Sequence, residues 1–226
     1  DNKQMELRCI AVEAEDEYLK ELILKSDRGE GPDPHSLINE GLNEKTGKEW
    51  DRDKAKAGVF GRAYGRGKND FIISYGMTSE DTDILIATID SFFPKLKAYN
   101  SRVKEEIHQT GILTSYFGRK RRFGLVLDSN KHECYRQGAN FYIQSMASDI
   151  NLQGMLYLWG IKEKYGIYPL FPVHDSIVMD IPNRDILPEL KKDLEDYCSN
   201  LVDNKMRFKV DCAVGKSWGD AVKIKI

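Results

Sequence analysis

Two aspartates that lie far apart in the chain are candidates for metal-ion chemistry. Asp1 precedes the apolar run 5–12, which we predict as a short strand, and Asp175 lies at the bend of a hairpin-like segment, 168–179. Carboxylates at the ends of neighbouring strands can hold two divalent ions about 4 Å apart, as phosphoryl transfer requires. Mg²⁺ suits such a site because it prefers hard oxygen ligands and keeps several waters. An aspartate at a bend is also ordinary turn chemistry, so Asp175 alone leaves both interpretations open.

A basic segment combines two cations and two aromatic residues on one face of a predicted helix, 51–64. They are spaced four apart: Arg52, Lys56, Phe60 and Tyr64. Such a stripe can grip a triphosphate and stack on a base; the alternative is a solvated cationic face with two aromatics in the core. Each glycine costs a helix about 1 kcal/mol relative to alanine, which suggests close approach of another backbone or a ligand. The glycines are Gly58, Gly61 and Gly65.

Two further polar clusters are candidates for nucleic-acid contact. Arg136, Asn140 and Gln144 lie at intervals of four on a predicted helix, where they could read acceptors in the minor groove of a duplex. The cations of the segment 119–122 are predicted at the tip of a hairpin, where they could contact a phosphate backbone. A partly exposed helix face and a solubilising charge cluster are the respective alternatives.

Composition limits the class of protein that could carry these clusters. The 226 residues are 41% hydrophobic and 31% charged, with a formal net charge of −2, so any nucleic-acid contact must come from local clustering of cations. No run approaches the roughly 18 apolar residues that span a bilayer, and the first residues lack a signal pattern. The four cysteines contain no CxxC pair. We therefore expect reduced thiols, a cytoplasmic location and no membrane partner.

The elements that must position these residues alternate between helices and antiparallel hairpins, which favours an α+β fold. Hydrophobic periodicity and capping residues predict helices at 17–24, 35–42, 51–64, 79–88 (capped by Ser79), 94–108, 132–164 and 184–201. Apolar runs predict strands at 5–12, 112–116, 123–127, within 168–179 and at 207–214.

Taken in order, the motifs resemble those of family A DNA polymerases, the DNA polymerase I type. Segment 1–8 (DNKQMELR) resembles motif A, the helix from Arg52 to Tyr64 resembles motif B, and Val173-His174-Asp175 resembles motif C. Segments 118–121 and 136–144 are similar to the segments that contact template and primer, and 210–218 is similar to the closing strand. The compact spacing between His35 and motif B looks closer to phage replicative members, which implies the host cytoplasm as location.

The resemblance implies a role for each motif position. Asp1 and Asp175 would bind two Mg²⁺ ions, for which Mn²⁺ could substitute, and Lys56 would protonate the leaving pyrophosphate. Glu6 would be the steric gate that occupies the space of a ribose 2′-hydroxyl. The residues expected to contact the incoming dNTP are Gln4, Glu6, His35, Arg52, Lys56, Phe60 and Tyr64. The residues expected to contact primer-template DNA are Arg119, Lys120, Arg121, Arg136, Asn140, Gln144 and His174.

One motif position departs from the family. The family usually has glutamate after the motif C aspartate, where this chain has Ser176. A His-Asp-Ser motif is also similar to that of the single-subunit phage RNA polymerases, but Glu6 argues against ribonucleotide use.

The resemblance also implies the arrangement of domains. We expect palm at 1–26, fingers at 27–110 and palm again at 111–226, with an antiparallel palm sheet and helical fingers but no thumb or exonuclease domain. Because whole family members carry a thumb and further palm strands before motif A, we expect a second polypeptide to supply them, together with any exonuclease domain. The alternative is a non-catalytic, polymerase-like DNA-binding subunit.

Overall fold

A computed structural model describes all residues from Asp1 to Ile226. The helices are α1 Met5–Glu13, α2 Glu17–Arg28, α3 Pro34–Thr46, α4 Arg52–Ala63, α5 Lys68–Tyr75, α6 Ser79–Phe92, α7 Pro94–Thr110, α8 Lys131–Gly160, α9 Lys162–Tyr165 and α10 Leu187–Asn200. The strands are β1 Ile112–Thr114, β2 Lys120–Arg122, β3 Tyr168–Val173, β4 Ser176–Asp180, β5 Cys212–Val214 and β6 Val222–Ile224. A single 3₁₀ turn, Trp218–Asp220, lies between the last two strands.

The predicted α+β class is confirmed, with all strand pairing antiparallel. The strands form three separate two-stranded sheets, β1–β2, β3–β4 and β5–β6. In β3–β4, Val173 pairs with Ser176, so that His174 and Asp175 alone form the turn, and the register shifts between Pro169 and Phe171. This hairpin matches the sequence prediction for 168–179.

The chain divides into two compact units, which we describe separately. Unit 1 comprises residues 1–9 and 144–226, and its core includes Leu7, Ile150 and Phe208. Unit 2 comprises residues 10–143, and its core includes Leu85 and Phe93. None of the helices is both long and apolar enough to span a membrane, and all four cysteines are free thiols.

Short polar side chains begin the helices that carry the candidate site residues of unit 2. The Asp33 carboxylate accepts a hydrogen bond from the His35 amide (3.0 Å) at the start of α3, and Asp51 accepts one from the Asp53 amide (2.9 Å) at the start of α4. The predicted cap of α6 was wrong by one residue. Thr78 accepts the bond from the Asp81 amide at 3.1 Å, and Ser79 is the first helical residue.

The segment 5–12 forms helix α1 and not the predicted strand. Met5 and every residue from Leu7 to Val12 are buried, so the run shows no alternation between buried and exposed positions. A continuous apolar run cannot distinguish a buried strand from a buried helix by its periodicity. Met, Glu, Leu, Arg and Ala, which dominate this segment, favour the helix.

The cationic hairpin forms with a different second strand. Lys120, Arg121 and Arg122 pair with Thr114, Leu113 and Ile112, so these cations lie on β2 and not at the tip. The turn precedes them: the Ser115 amide donates to the Arg119 carbonyl at 2.8 Å. Gly118 adopts φ 88° there, a conformation that glycine takes without strain. Residues 123–127, which were predicted as the second strand, form neither a helix nor a strand.

Several other boundaries differ from the predictions. The helix expected to reach residue 164 ends at Gly160, and a short helix, α9, follows it. Helix α3 is longer than expected, and helix α5 was not predicted. The predicted strand 207–214 shortens to Cys212–Val214. Its first part pairs with the first residues of the chain, because the Lys3 amide donates to the Lys209 carbonyl and the Asp211 amide to the Asp1 carbonyl, each at 2.8 Å. Side chains add to this pairing: Ser199 Oγ accepts from the Phe208 amide and Glu195 Oε1 from the Val210 amide, each at 3.0 Å.

Candidate active site

Unit 1 brings Asp1 to the hairpin turn that carries Asp175. Ser176 Oγ donates to Asp1 Oδ1 at 3.0 Å, and the Asn2 amide donates to the Asp175 carbonyl, also at 3.0 Å. Burial lowers the pKa of the Asp1 amino group, and the Asp175 carboxylate is among the charges that oppose this shift. The two aspartates predicted to act together, 174 positions apart in sequence, are therefore neighbours in space.

Two buried asparagines hold this turn, and sequence reasoning missed both. Asn2 is 7% exposed and Asn151, on α8, is 2% exposed. Asn2 Nδ2 donates to the Asp175 carbonyl at 2.7 Å and to Asn151 Oδ1 at 3.1 Å. Asn151 Nδ2 donates to the His174 carbonyl at 3.0 Å and to the Ser176 carbonyl at 3.4 Å. An asparagine in the apolar stretch 146–158 was the only available sequence signal.

The donor set at the turn fits a hard divalent ion of the magnesium type. Asp1 is exposed and Asp175 partly exposed, so both carboxylates can exchange water for an ion. The neighbouring Ser176 oxygen is a neutral donor to Asp1, which adds no negative charge. Nowhere in the chain do three or more His, Cys, Asp or Glu side chains cluster as a metal site. The ligands that such an ion would find at this turn are the carboxylates of Asp1 and Asp175, together with water.

The predicted gate residue is held by a polar partner within unit 1. Gln144 Nε2 donates to Glu6 Oε1 at 2.5 Å, which joins two candidate residues that lie on different helices. Gln4, at the turn before α1, adopts φ 51°, an unusual value for a residue other than glycine. Its carbonyl accepts from the Arg8 amide at 3.1 Å, and the fully buried Arg8 donates through Nε to the Lys3 carbonyl at 2.7 Å.

Unit 2 places the predicted phosphate-binding residues together. Arg52 Nη2 lies 2.9 Å from Asp33 Oδ2, and Arg52 Nε donates to Ser36 Oγ at 3.1 Å. Burial of Asp33 opposes ionisation, but hydrogen bonds from Arg52 and Ser36 outweigh it and lower the pKa of Asp33 to about 2. Arg52 is therefore already paired with a carboxylate, which the sequence did not predict.

His35 is the buried member of the same group. The ring is 3% exposed, its Nδ1 has no hydrogen-bond partner, and its centroid lies 5.4 Å from that of Phe60. Burial lowers the pKa of His35 to about 4; Asp33 opposes the shift, while Arg52 and Lys56 add to it. His35 is consequently neutral at pH 7, whereas Lys56, on the same helix as Phe60, is exposed.

Two aromatic residues lie near the end of α4, Phe60 within the helix and Tyr64 directly after it. Phe60 and Tyr64 are stacked, with centroids 6.2 Å apart and planes 19° apart, and both are partly exposed. The predicted stripe from Arg52 to Tyr64 thus forms one face. A Cβ added at any of the glycines in this segment would first meet side chains of unit 2. A Cβ on Gly58 would lie 2.9 Å from Leu85 Cδ1, and one on Gly61 would lie 2.6 Å from Phe71 Cζ.

A cavity of about 520 Å³ in unit 2 contains two of the predicted DNA-contacting residues. Its lining consists of Tyr64, Arg66, Asp70, Ser74, Glu133, Arg136, Gln137 and Asn140. Arg136 Nη1 donates to Asp70 Oδ1 at 2.9 Å and its Nη2 pairs with Glu133, whereas Asn140 is exposed. The predicted stripe continues along α8 to Gln144, the partner of Glu6.

The remaining predicted DNA-contacting residues lie on the two hairpins. Arg119 and Lys120 are exposed, and Arg121 Nη2 donates to Gln137 Oε1 at 2.5 Å. His174 is exposed at the β3–β4 turn, in the left-handed region with φ 54°. The two hairpins are in different units, so the structure groups Arg119, Lys120 and Arg121 with unit 2 and His174 with unit 1.

The fold is that of a polymerase domain. A solved structure of the POL domain of Pol1 from M. smegmatis, in complex with DNA primer-template and dNTP, aligns with a TM-score of 0.71 at 21% identity, over 89% of this chain and 36% of that chain. The family model of DNA polymerase family A matches residues 1–220, and the chain belongs to this family.

Curated relatives extend the comparison to nearly the whole chain. DNA polymerase I of Helicobacter pylori (strain ATCC 700392 / 26695) is 29% identical over 228 residues, which is 97% of this chain and 24% of that protein. The thermostable DNA polymerase I of Thermus filiformis is 27% identical over 227 residues, which is 98% of this chain and 26% of that protein. The chain thus spans about a quarter of the length of these relatives.

Proposed function

We propose that this chain is the catalytic portion of a template-directed DNA polymerase, which transfers nucleotides from dNTPs to the 3′-hydroxyl of a primer. The observation that carries the proposal is the approach of Asp1 to the Asp175–Ser176 turn, at a hydrogen-bond distance of 3.0 Å. Membership of the family supports it, as does the DNA primer-template and dNTP complex of the similar POL domain.

In this proposal, Asp1 and Asp175 hold two divalent ions, with Mg²⁺ as the natural metal. The bound metal would lower the pKa of the primer hydroxyl and balance the charge on the leaving pyrophosphate. Ser176 orients the Asp1 carboxylate through its hydrogen bond.

The incoming nucleotide is bound by the exposed face of α4. Lys56 is the proton donor to pyrophosphate, because it is an exposed ammonium beside the neutral ring of His35. Arg52 exchanges the carboxylate of Asp33 for a phosphate, an anion that a guanidinium can bind through two parallel hydrogen bonds. Phe60 stacks on the sugar and base, Tyr64 supports the template side, and Glu6 with Gln4 borders the sugar.

Primer-template DNA contacts cations and amides that reach solvent. Arg119, Lys120 and Arg121 bind the phosphate backbone, which makes affinity sensitive to salt. Arg136, Asn140, Gln144 and His174 contact the primer terminus and the minor groove. Palm at 1–26 and 111–226 and fingers at 27–110 remain our domain assignment.

A second polypeptide completes the enzyme in this proposal. It carries the thumb and the remaining palm, with any exonuclease domain, as the resemblance to whole family members implies. The competing function is a non-catalytic DNA-binding subunit. Ser176, which stands where the family usually has glutamate, favours it.

Primer extension with and without the complementary part of a polymerase separates the two functions. The chain would be mixed with a polypeptide that carries the thumb and first palm strands, and dNTP incorporation would be measured in Mg²⁺. The proposal predicts incorporation that requires both polypeptides and the metal. A complex that binds primer-template but never extends it would favour the scaffold function.

A further inference from the structure

We infer that Asn2 and Asn151 are positioning residues, which together act as a clamp on the turn His174–Asp175–Ser176 and set the direction of the Asp175 carboxylate. The inference rests on the proposed function for its metal, but the clamp itself rests on hydrogen bonds within unit 1. Both asparagines are buried and bind the turn through its backbone carbonyls.

The clamp engages three consecutive carbonyls. Asn151 Nδ2 donates to the carbonyls of His174 (3.0 Å) and Ser176 (3.4 Å). Between them, the Asp175 carbonyl accepts from Asn2 Nδ2 at 2.7 Å and from the Asn2 amide at 3.0 Å. Both carbonyls of the two-residue turn are therefore held, which restricts the backbone that carries the Asp175 side chain.

The clamp is itself fixed. Asn2 Nδ2 also donates to Asn151 Oδ1 at 3.1 Å, so the two carboxamides orient one another. Asn2 pairs with Val210 through an isolated bridge, and Asn151 lies within the 30-residue helix α8. The turn is therefore tied to two separate elements of the unit.

Two features of this arrangement are locally unfavourable in free energy. The Oδ1 atom of Asn2 is buried without a hydrogen-bond donor, because its amide nitrogen faces the turn. His174 adopts φ 54°, a left-handed conformation that residues other than glycine rarely take. Local strain of this kind persists where the surrounding structure imposes it, often at a functional site.

The consequence concerns both metal-binding carboxylates. The clamped turn carries Asp175 and also Ser176, whose hydroxyl donates to Asp1. Loosening the clamp would release one carboxylate directly and the other through Ser176. Groups that hold metal ligands in place in this way typically affect metal affinity by about 10-fold to 100-fold when removed.

The test compares Asn151→Leu and Asn151→Asp with the wild-type chain. The leucine removes every bond that Asn151 makes, whereas the aspartate keeps the acceptor for Asn2 and loses the donor to the turn. Gln153→Leu, on the same helix but exposed, is the matched control. If Asn151→Leu does not fold, Asn151→Ser replaces it with the same expected outcome.

Two readouts that do not depend on activity are decisive. Hydrogen exchange of the Asn2 amide and of residues 173–177 should accelerate at least tenfold in both Asn151 variants. Mn²⁺ affinity of the chain, measured by electron paramagnetic resonance, should fall by about tenfold or more. In primer extension by the complete enzyme, kcat should fall while the KM for dNTP stays constant.

The outcomes separate failure of the clamp from failure of the proposed function. Folded Asn151 variants with unchanged exchange and unchanged Mn²⁺ affinity would overturn the clamp. Faster exchange at the turn in the Asn151 variants, together with a wild-type chain that binds no Mn²⁺, would keep the clamp and overturn the metal assignment. Equal effects of Gln153→Leu would show a general loss of helix stability and would also overturn the inference.

Discussion

At the scale of single residues, the candidate site depends on pairings between side chains that the motifs do not reveal. Asp33 pairs with Arg52, Gln144 with Glu6, and Ser176 with Asp1. Each partner fixes the direction of a side chain whose proposed role depends on direction. The environment of a residue therefore determines what the residue can do, even where its type is already given by the motif.

The gate proposed at Glu6 can be tested by removing its side chain. We expect Glu6→Ala to lower discrimination against ribonucleotides by about tenfold or more, because space opens for a 2′-hydroxyl. Gln144→Met should give a smaller change in the same direction, since it releases Glu6 without shortening it. The measurement is the ratio of kcat/KM for dNTP and rNTP in the complete enzyme.

Glu17→Ala, an exposed glutamate at the start of α2, is the control for this experiment. An unchanged ratio in Glu6→Ala would remove the gate from the proposal.

Burial of His35 predicts how stability depends on pH. The pKa of His35 is about 4 in the folded chain and 6.5 for the ordinary side chain, so the unfolded state takes up a proton first as the pH falls. Stability is therefore highest above 6.5 and decreases as the pH approaches 4. Linkage gives a loss of about 2 kcal/mol between about pH 7 and about pH 5 from this residue.

Chemical denaturation of wild type and His35→Leu at these two pH values measures this contribution. The variant should lack about 2 kcal/mol of the pH dependence. Asp33 does not interfere, because its pKa of about 2 places its own loss of stability at lower pH. Identical pH dependence in both proteins would contradict the buried, neutral state of His35.

At the scale of elements, the sequence predicts helices far better than strands. Helices α2, α4 and α7 begin and end close to the predicted residues because short polar caps, Pro94 and glycines mark their ends. The run from Met5 to Val12 was mistaken for a strand because it is buried on all sides. The strand β2 was missed because three consecutive cations lack an apolar pattern, and its pairing depends on β1 alone.

Helix α4 shows how packing overrides helix propensity. In an open helical position, Gly→Ala stabilises by about 1 kcal/mol. At Gly61, however, a Cβ would lie 2.6 Å from Phe71 Cζ and 2.7 Å from Phe71 Cε1, both ring atoms of a buried side chain. Overpacking of this kind costs about 1–3 kcal/mol, so we expect Gly61→Ala to destabilise the chain by about 1–2 kcal/mol.

The matched control is Gly160→Ala at the end of α8, where a Cβ would have no atom within 4 Å. Thermal unfolding of both variants and of the wild type gives the comparison. Gly61→Ala should melt below the wild type, and Gly160→Ala should melt at or above it. Equal melting temperatures for the two variants would contradict the close contact between α4 and α5.

At the scale of the whole molecule, membership of DNA polymerase family A follows from residues distributed along the entire chain. The sequence predicted the two aspartates, the α4 stripe and the α8 stripe, because each motif is defined by residue types at fixed spacings. It could not predict the Asn2–Asn151 clamp, because buried amides leave no periodic or charged signal. The pairing of Arg52 with Asp33 was also missed, because no spacing pattern links two residues that lie 19 positions apart.

The most direct test of the central claim is single-nucleotide incorporation by the complete enzyme with Asp175→Asn. The carboxamide keeps the shape of the side chain and removes the charge, while Asp180→Asn, exposed at the far end of β4, is the control. A metal contributes several kcal/mol to the transition state, so incorporation should fall by about a hundredfold or more in Asp175→Asn and stay at the wild-type rate in the control. Equal incorporation by the Asp175 variant and the wild type would contradict a catalytic role for the paired aspartates.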